Sequence, residues 1–253
     1  MRISIIIQGS LVNNSSNSGY STYDLLGDIT NIYPTSKIYW TVWSASDSSI
    51  YEELMLKYPK LSILFIPDPG SIYKNGQEYN ISRIVQSVIN SLKFIDKAGL
   101  VLKIRSDMRL LAPLTYPNRY SIGRYFSLIA LSSRGGTTYL NGISDCIHFG
   151  ELSTMRRIWY GIDLTENFVF PEQLVGNSVV RLFNIETLFD LYDYLHFYAN
   201  EDRYYLYPKR FYRRGIMNFE FHKTVKNLSV RLFFVKISAK LLWIIRLLLR
   251  RHY

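Results

Sequence analysis

The sequence predicts an α/β fold: a mostly parallel sheet flanked by helices, followed by a basic amphipathic helix at the C-terminus. Three observations carry this. Short apolar runs of strand length alternate with helical stretches from residue 2 to residue 104, the pattern of βαβ units. Ile81, Ile84, Val85, Val88, Ile89, Leu92 and Ile95 recur at helical spacing. Four successive predicted strands end in polar, turn-forming residues: Gln8-Gly9-Ser10, Trp43-Ser44, Asp68-Pro69-Gly70 and Arg105-Ser106-Asp107. Open α/β sheets bind ligands beyond the carboxyl ends of their strands, so these four ends predict one shared cleft.

The elements follow in order. Residues 2–7 (RISIII) read as a buried strand that opens into a Ser-, Asn- and Gly-rich loop up to Gly19. Tyr20–Ile32 is a helix, and Lys37–Val42 is the second strand. Ser44-Ala45-Ser46-Asp47 can cap a helix over Ser48–Lys57. Leu61–Ile66 is a strand that stops at the turn Asp68-Pro69-Gly70. The Ile81–Ile95 helix then leads to a short buried strand, Leu100–Ile104. Beyond Asp107 the pattern is less regular. Tyr125–Ser132 and Gly142–Phe149 read as strands, Phe170-Pro171-Glu172 as a helix start, and Leu182–Tyr198 as a helix. Two domains are expected, a body over 1–222 and a tail over 223–253.

Charge separates the two parts. Residues 1–200 carry 17 basic and 17 acidic side chains, whereas residues 223–253 carry eight basic and no acidic ones. A neutral body argues against a general nucleic-acid binder, whose cations spread over the folded face. In the tail, Phe234, Ile237, Leu241, Leu242, Ile245, Leu248 and Leu249 form an apolar stripe. Lys236, Lys240, Arg246, Arg250 and Arg251 lie mostly opposite it. Such a helix suits an anionic membrane interface; the alternatives are a terminal helix packed on the body or on a second subunit, and RNA binding. No run of about 18 uncharged apolar residues offers a conventional membrane span. Residues 3–7 are too short for the apolar core of a secretory leader. The single cysteine, Cys146, excludes an intrachain disulfide and favours a reducing compartment.

Three clusters could hold chemistry. In KIRSDMR (103–109), Asp107 stands after a buried strand among Lys103, Arg105 and Arg109. A carboxylate so placed could hold a divalent metal, Mn²⁺ or Mg²⁺, together with a diphosphate, and the cations could offset phosphate charge. The alternative is an ordinary Arg–Asp ion pair. In ISDCIHFGE (143–151), Asp145 could bind a sugar hydroxyl or act as a base, while His148 and Cys146 read as packed core. In PEQ (171–173), Glu172 in the first turn of a helix is either a dipole partner or a rigidly held general base. The chain contains no G-x-G-x-x-G, Walker A, G-x-S-x-G or H-E-x-x-H motif.

Taken together, IIIQGS (5–10), IYWTVWS (38–44), DPG (68–70), NISR (80–83), LKIRSDMRL (102–110), SDCIHFG (144–150) and PEQ (171–173) resemble the WavE lipopolysaccharide-synthesis family of bacterial glycosyltransferases. The resemblance covers about residues 2–175. Gly9-Ser10 replaces the family's Gly-Pro, and Arg83-Ile84 replaces its Arg-Gln. The resemblance implies a GT-A-like, Rossmann-like fold and a nucleotide-sugar donor. It places Gln8, Gly9, Ser10 and Asp68 near the nucleoside, with Arg83, Lys103, Arg105 and Asp107 also in the donor site. It implies a divalent metal (Mn or Mg) on Asp107, but Asp107-Met108-Arg109 lacks the second acid of a D-x-D motif. An Arg at 105 or 109 could partly replace the cation. Asp145 and Glu172 would face the acceptor, a lipid-linked or polysaccharide glycan. The expected setting is the cytoplasmic face of a bacterial membrane, reached through residues 223–253. The alternative function is a non-catalytic nucleotide-sugar- or glycan-binding partner subunit in polysaccharide assembly.

Overall fold

A computed structural model describes residues 3–13, 20–44, 46–74, 76–114, 145–168 and 172–184, plus the backbone of four short strands at 125–127, 133–134, 137–138 and 205–206. These residues lie in one compact unit, Met1–Arg210. The expected basic tail, 223–253, lies outside the described residues.

Along the chain the first half runs β1 (Ile3–Gln8), α1 (Thr22–Ile32), β2 (Lys37–Trp43), α2 (Ser48–Lys57), β3 (Leu61–Ile66), β4 (Ile72–Lys74), β5 (Gln77–Tyr79), α3 (Ile81–Lys93) and β6 (Leu100–Arg105). There follow β7 (Arg109–Leu110), β8 (Tyr125–Ser127), β9 (Ser133–Arg134), β10 (Thr137–Thr138), β11 (Ile147–Glu151), α4 (Leu152–Tyr160), α5 (Glu172–Phe183) and β12 (Tyr205–Leu206). The main sheet has the order β3-β2-β1-β6-β11-β8. β3, β2, β1 and β6 are parallel, and β11 runs antiparallel to both β6 and β8.

The helices begin where local chemistry dictates. Ser21 caps α1 through a reciprocal box: its Oγ accepts from the Asp24 N–H, and Asp24 Oδ2 accepts from the Ser21 N–H. The first helical residue is therefore Thr22 rather than Tyr20. Asp47 caps α2 by accepting from the Ser49 N–H at 3.0 Å. α3 buries Ile81, Val85, Val88 and Leu92 on one stripe. Trp40 of β2 meets Tyr51 of α2 edge-on, while the next residue, Thr41, bonds Ser91 of α3 at 2.8 Å. Successive strand residues point to opposite faces, so α2 and α3 cover opposite sides of the sheet. Ile5, Ile6, Ile7, Trp40, Leu102 and Ile104 are solvent-free and form the centre of the core.

Several elements depart from the sequence expectation. β4 and β5 form a hairpin in a stretch too short and polar to show alternation, with Gly76 at φ 72° in its turn. α4 is an unforeseen helix with Leu152, Met155, Ile158 and Trp159 buried. The later strands are Tyr125–Ser127, which starts where expected, and Ile147–Glu151, which runs two residues past the expected Phe149; residues 128–132 and 142–144 lie outside the described residues. No helix starts at Leu182: α5 ends there, and Asn184 takes a left-handed φ of 51°. The rest of that expected helix, 185–198, lies outside the described residues. Among the described residues no helix is long and apolar enough to cross a membrane.

Candidate functional site

A cavity of about 520 Å³ opens at the carboxyl ends of β1, β2 and β6, walled by the first turns of α3 and by Asp68 after β3. Of the ten residues the sequence nominates, eight line it: Gln8, Gly9, Ser10, Asp68, Arg83, Arg105, Asp107 and Asp145. Thr41, Trp43, Tyr51, Asn80, Ser87 and Ser106 complete much of the wall. Thr41 and Ser87 could not be singled out beforehand, because an isolated hydroxyl in an apolar run carries no signal of its own.

The floor is set by the way β1 leaves the sheet. Gly9 has φ 116°, and a Cβ there would lie 2.6 Å from Ser106 Oγ. Only glycine allows both the left-handed backbone and this approach. Ser106 ties the two strand ends together. Its N–H donates to the Gln8 carbonyl at 2.9 Å, and its Oγ donates to the Ser10 carbonyl at 2.7 Å. Trp40 Nε1 donates to the Gly9 carbonyl at 2.8 Å. Gln8 lies opposite Arg105 in the β1–β6 register, and its buried Oε1 has no hydrogen-bond partner. An unmet acceptor on a cavity wall is a place for a ligand N–H or O–H.

Each carboxylate on the wall meets a guanidinium. Arg83 clasps Asp68 with Nε and Nη2 at 2.8 and 2.7 Å, and its Nη1 donates to Asn80 Oδ1 at 2.7 Å. Asp68 also accepts from the Gly70 N–H at 3.0 Å. The Arg83 bond and then the Gly70 bond hold its carboxyl below the usual range. Deeper in, Arg105 clasps Asp107 with Nε and Nη2 at 3.0 and 2.8 Å, and its Nη1 lies 3.7 Å from Asp145 Oδ1. The Arg–Asp ion pair that KIRSDMR allowed is thus present. Burial opposes the charge on Arg105, yet Cys146, Asp145 and Asp107 raise its pKa above the ordinary value. Burial likewise opposes the charge on Asp145. Arg105, Lys103 and His148 outweigh it and hold that carboxyl below the usual range.

Two nominated residues do not line the cavity, nor does Arg109. Lys103 points toward α4, fully buried, its Nζ 5.6 Å from the centroid of the Trp159 ring and without a hydrogen-bond partner. It cannot touch a phosphate directly, because it lies one strand-alternation deeper than Arg105. Burial pushes its pKa down to about 8, against the pull of Asp145. Glu172 starts α5, which packs on α4. Arg109 turns to α1 and clasps Asp28, with Nη2 at 2.8 Å from Oδ1. His148 is solvent-free against Trp159, and Cys146 is buried, as expected of core residues.

The metal implied by the resemblance meets a poor donor set. Asp107 has both oxygens on Arg105, and Asp68 has both on Arg83. Among the described residues no three His, Cys, Asp or Glu side chains gather at one point. An incoming divalent ion would have to share each of these carboxylates with a guanidinium already bound to both its oxygens.

No family profile matches the chain, and no curated protein matches it. Solved structures similar to it include a transferase at 9% identity, covering 78% of this chain and 91% of the other, with a TM-score of 0.49. A second is the galactosyltransferase LgtC in complex with donor and acceptor sugar analogs, at 11% identity, covering 70% of each chain, with a TM-score of 0.45. A third is 4-diphosphocytidyl-2C-methyl-D-erythritol synthase from Anaerococcus prevotii, at 14% identity, covering 73% of this chain and 83% of the other, with a TM-score of 0.45. The chain's own topology is the α/β architecture the sequence predicts, a mostly parallel sheet flanked by helices.

Proposed function

We propose that the chain is a GT-A-like glycosyltransferase that moves a sugar from a nucleotide-sugar donor to a lipopolysaccharide, capsule or other cell-surface glycan acceptor. The observation that carries this reading is the convergence of eight nominated residues, from five separate motifs, on one cavity at the strand ends. Its volume of about 520 Å³ lies in the range of small-molecule sites. In this reading Gln8 Oε1 accepts from the donor's nucleoside, and Arg83 and Arg105 face its diphosphate. The acceptor hydroxyl attacks the anomeric carbon. The bond from that carbon to the diphosphate breaks, and the nucleoside diphosphate leaves with the electron pair. The hydroxyl proton passes to a carboxylate. Asp145, held below the usual range, is a weak base and serves Arg105 as counter-ion. Glu172 is the base proposed for the acceptor side. Residues 223–253 would hold the body at the cytoplasmic face of a bacterial membrane, near a lipid-linked or polysaccharide acceptor.

A second reading, a nucleotide-sugar- or glycan-binding partner subunit, is favoured by one feature: every acid on the described cavity wall is engaged by an arginine. Donor hydrolysis separates the two. A transferase incubated with UDP-, GDP-, CDP- and dTDP-sugars hydrolyses its own donor slowly without acceptor, whereas a binding subunit protects that donor without turnover. No binding to any of them would refute both.

A further inference from the structure

The donor set beneath the cavity shows a charge balance that bears on how a diphosphate is held. Asp107 and Asp145 converge on one guanidinium, that of Arg105, at 2.8 and 3.7 Å. In a metal site, two carboxylates would converge on a divalent ion, giving a neutral floor. Here Arg105 supplies one positive charge. A second comes from Lys103, two residues earlier on the same strand face, solvent-free and within electrostatic reach of both Asp145 and Asp107. Two carboxylates and two buried cations again sum to zero.

Arg83, in the first turn of α3, adds a third cation at the opposite wall, where Asp68 balances its charge. Asn80 offers no side-chain cap to that helix, and no acid stands in its first turn. The positive end of the helix dipole therefore faces the cavity uncompensated by its own residues.

We infer that the cavity binds a nucleoside diphosphate without a divalent ion, Arg105 standing where the metal would and Lys103 completing its charge from below. This rests on the nucleotide-sugar reading, and it reverses the metal expectation drawn from the resemblance. The role of Asp107 changes accordingly: it is a positioning residue that fixes the plane of the Arg105 guanidinium. Arginine suits this because its planar fork fits carboxylate and phosphate alike.

The test is a calorimetric titration of the full chain with UDP, GDP, CDP, ADP and dTDP, each with EDTA and with Mn²⁺ or Mg²⁺. The expected result is that at least one of them binds with an affinity that differs by less than threefold between EDTA and metal. An affinity at least tenfold higher with metal would overturn the inference and leave glycosyl transfer standing. No binding under any condition would overturn both. In EDTA, R105Q should weaken binding at least tenfold, and R105K, which keeps the charge but not the fork, should recover only part of it. Wild-type affinity in a folded R105Q would also overturn the inference. Should R105Q fail to fold, the metal comparison on the wild-type chain decides alone.

Discussion

The ammonium of Lys103 lies over the ring of Trp159, 5.6 Å from its centroid, with no solvent and no hydrogen-bond acceptor. A buried cation in this setting is costly. Its pKa of about 8 lies below the ordinary 10.5, so the unfolded chain binds the extra proton between those values. Stability must then rise as pH climbs through that window, with a cost of roughly 3 kcal/mol present below it. We predict that K103M is more stable than wild type at pH 7, by about 1 kcal/mol or more, and that the gap closes toward pH 10. Urea midpoints at the two pH values check this. A K103M protein less stable at pH 7 would mean that the Asp145 interaction outweighs desolvation. The same variant should bind nucleoside diphosphate more weakly, since it removes half of the charge beneath the cavity.

Asp107 anchors the Arg105 guanidinium from a largely buried position. D107A should leave the fold intact, because Asp145 still faces the arginine. It should abolish transfer and weaken nucleoside diphosphate binding at least tenfold. Full donor affinity and turnover in a folded D107A variant would remove Asp107 from the site.

Gly9 joins a left-handed backbone to a close approach by Ser106. G9A combines strain of about 1–2 kcal/mol for the backbone with displacement of the Ser106 hydroxyl. We expect a loss of roughly 2–3 kcal/mol in denaturant unfolding, together with weaker donor binding. An unchanged midpoint would show that β1 leaves the sheet along another path.

The two later acids separate by location, Asp145 on the cavity and Glu172 at the start of α5. E172Q should cut turnover by about 100-fold with donor affinity unchanged, as for a lost general base. D145N should weaken donor binding as well, because it removes a counter-ion of Arg105. Wild-type turnover by both variants would place the base elsewhere or imply a retaining mechanism.

The tail prediction follows from charge and periodicity. Full-length protein should sediment with anionic liposomes and be released by salt, and a chain lacking residues 223–253 should not sediment. Equal binding to neutral vesicles would point to a packing or oligomerisation helix.

The strand-end wall of the cavity was legible because its residues end buried strands, where polar residues break an apolar run. Gln8-Gly9, Asp68 and Arg105-Ser106-Asp107 all announce themselves this way. Their pairings were not legible. Arg83 reaches back 15 positions to Asp68, and Arg109 crosses 81 positions to Asp28, contacts that only the folded chain defines. Lys103 misled for a related reason. Strand alternation puts it on the face of Arg105, but depth along the strand, not face, decides which of the two meets solvent. α4 escaped notice because nine residues give a helical stripe little room to repeat.

The two arginine clasps differ in how much water reaches them. Arg83 and Asp68 are 30% and 37% exposed, whereas Arg105 and Asp107 are 18% and 7% exposed. Mobile ions screen the first and hardly enter the second, since the screening length at physiological ionic strength is about 8 Å and applies to solvated charge. Ionic strength therefore acts as a reagent for one wall alone. Added salt should loosen the rim while the floor keeps its geometry, so in the proposed transferase donor capture should weaken while the rate of the bound complex holds.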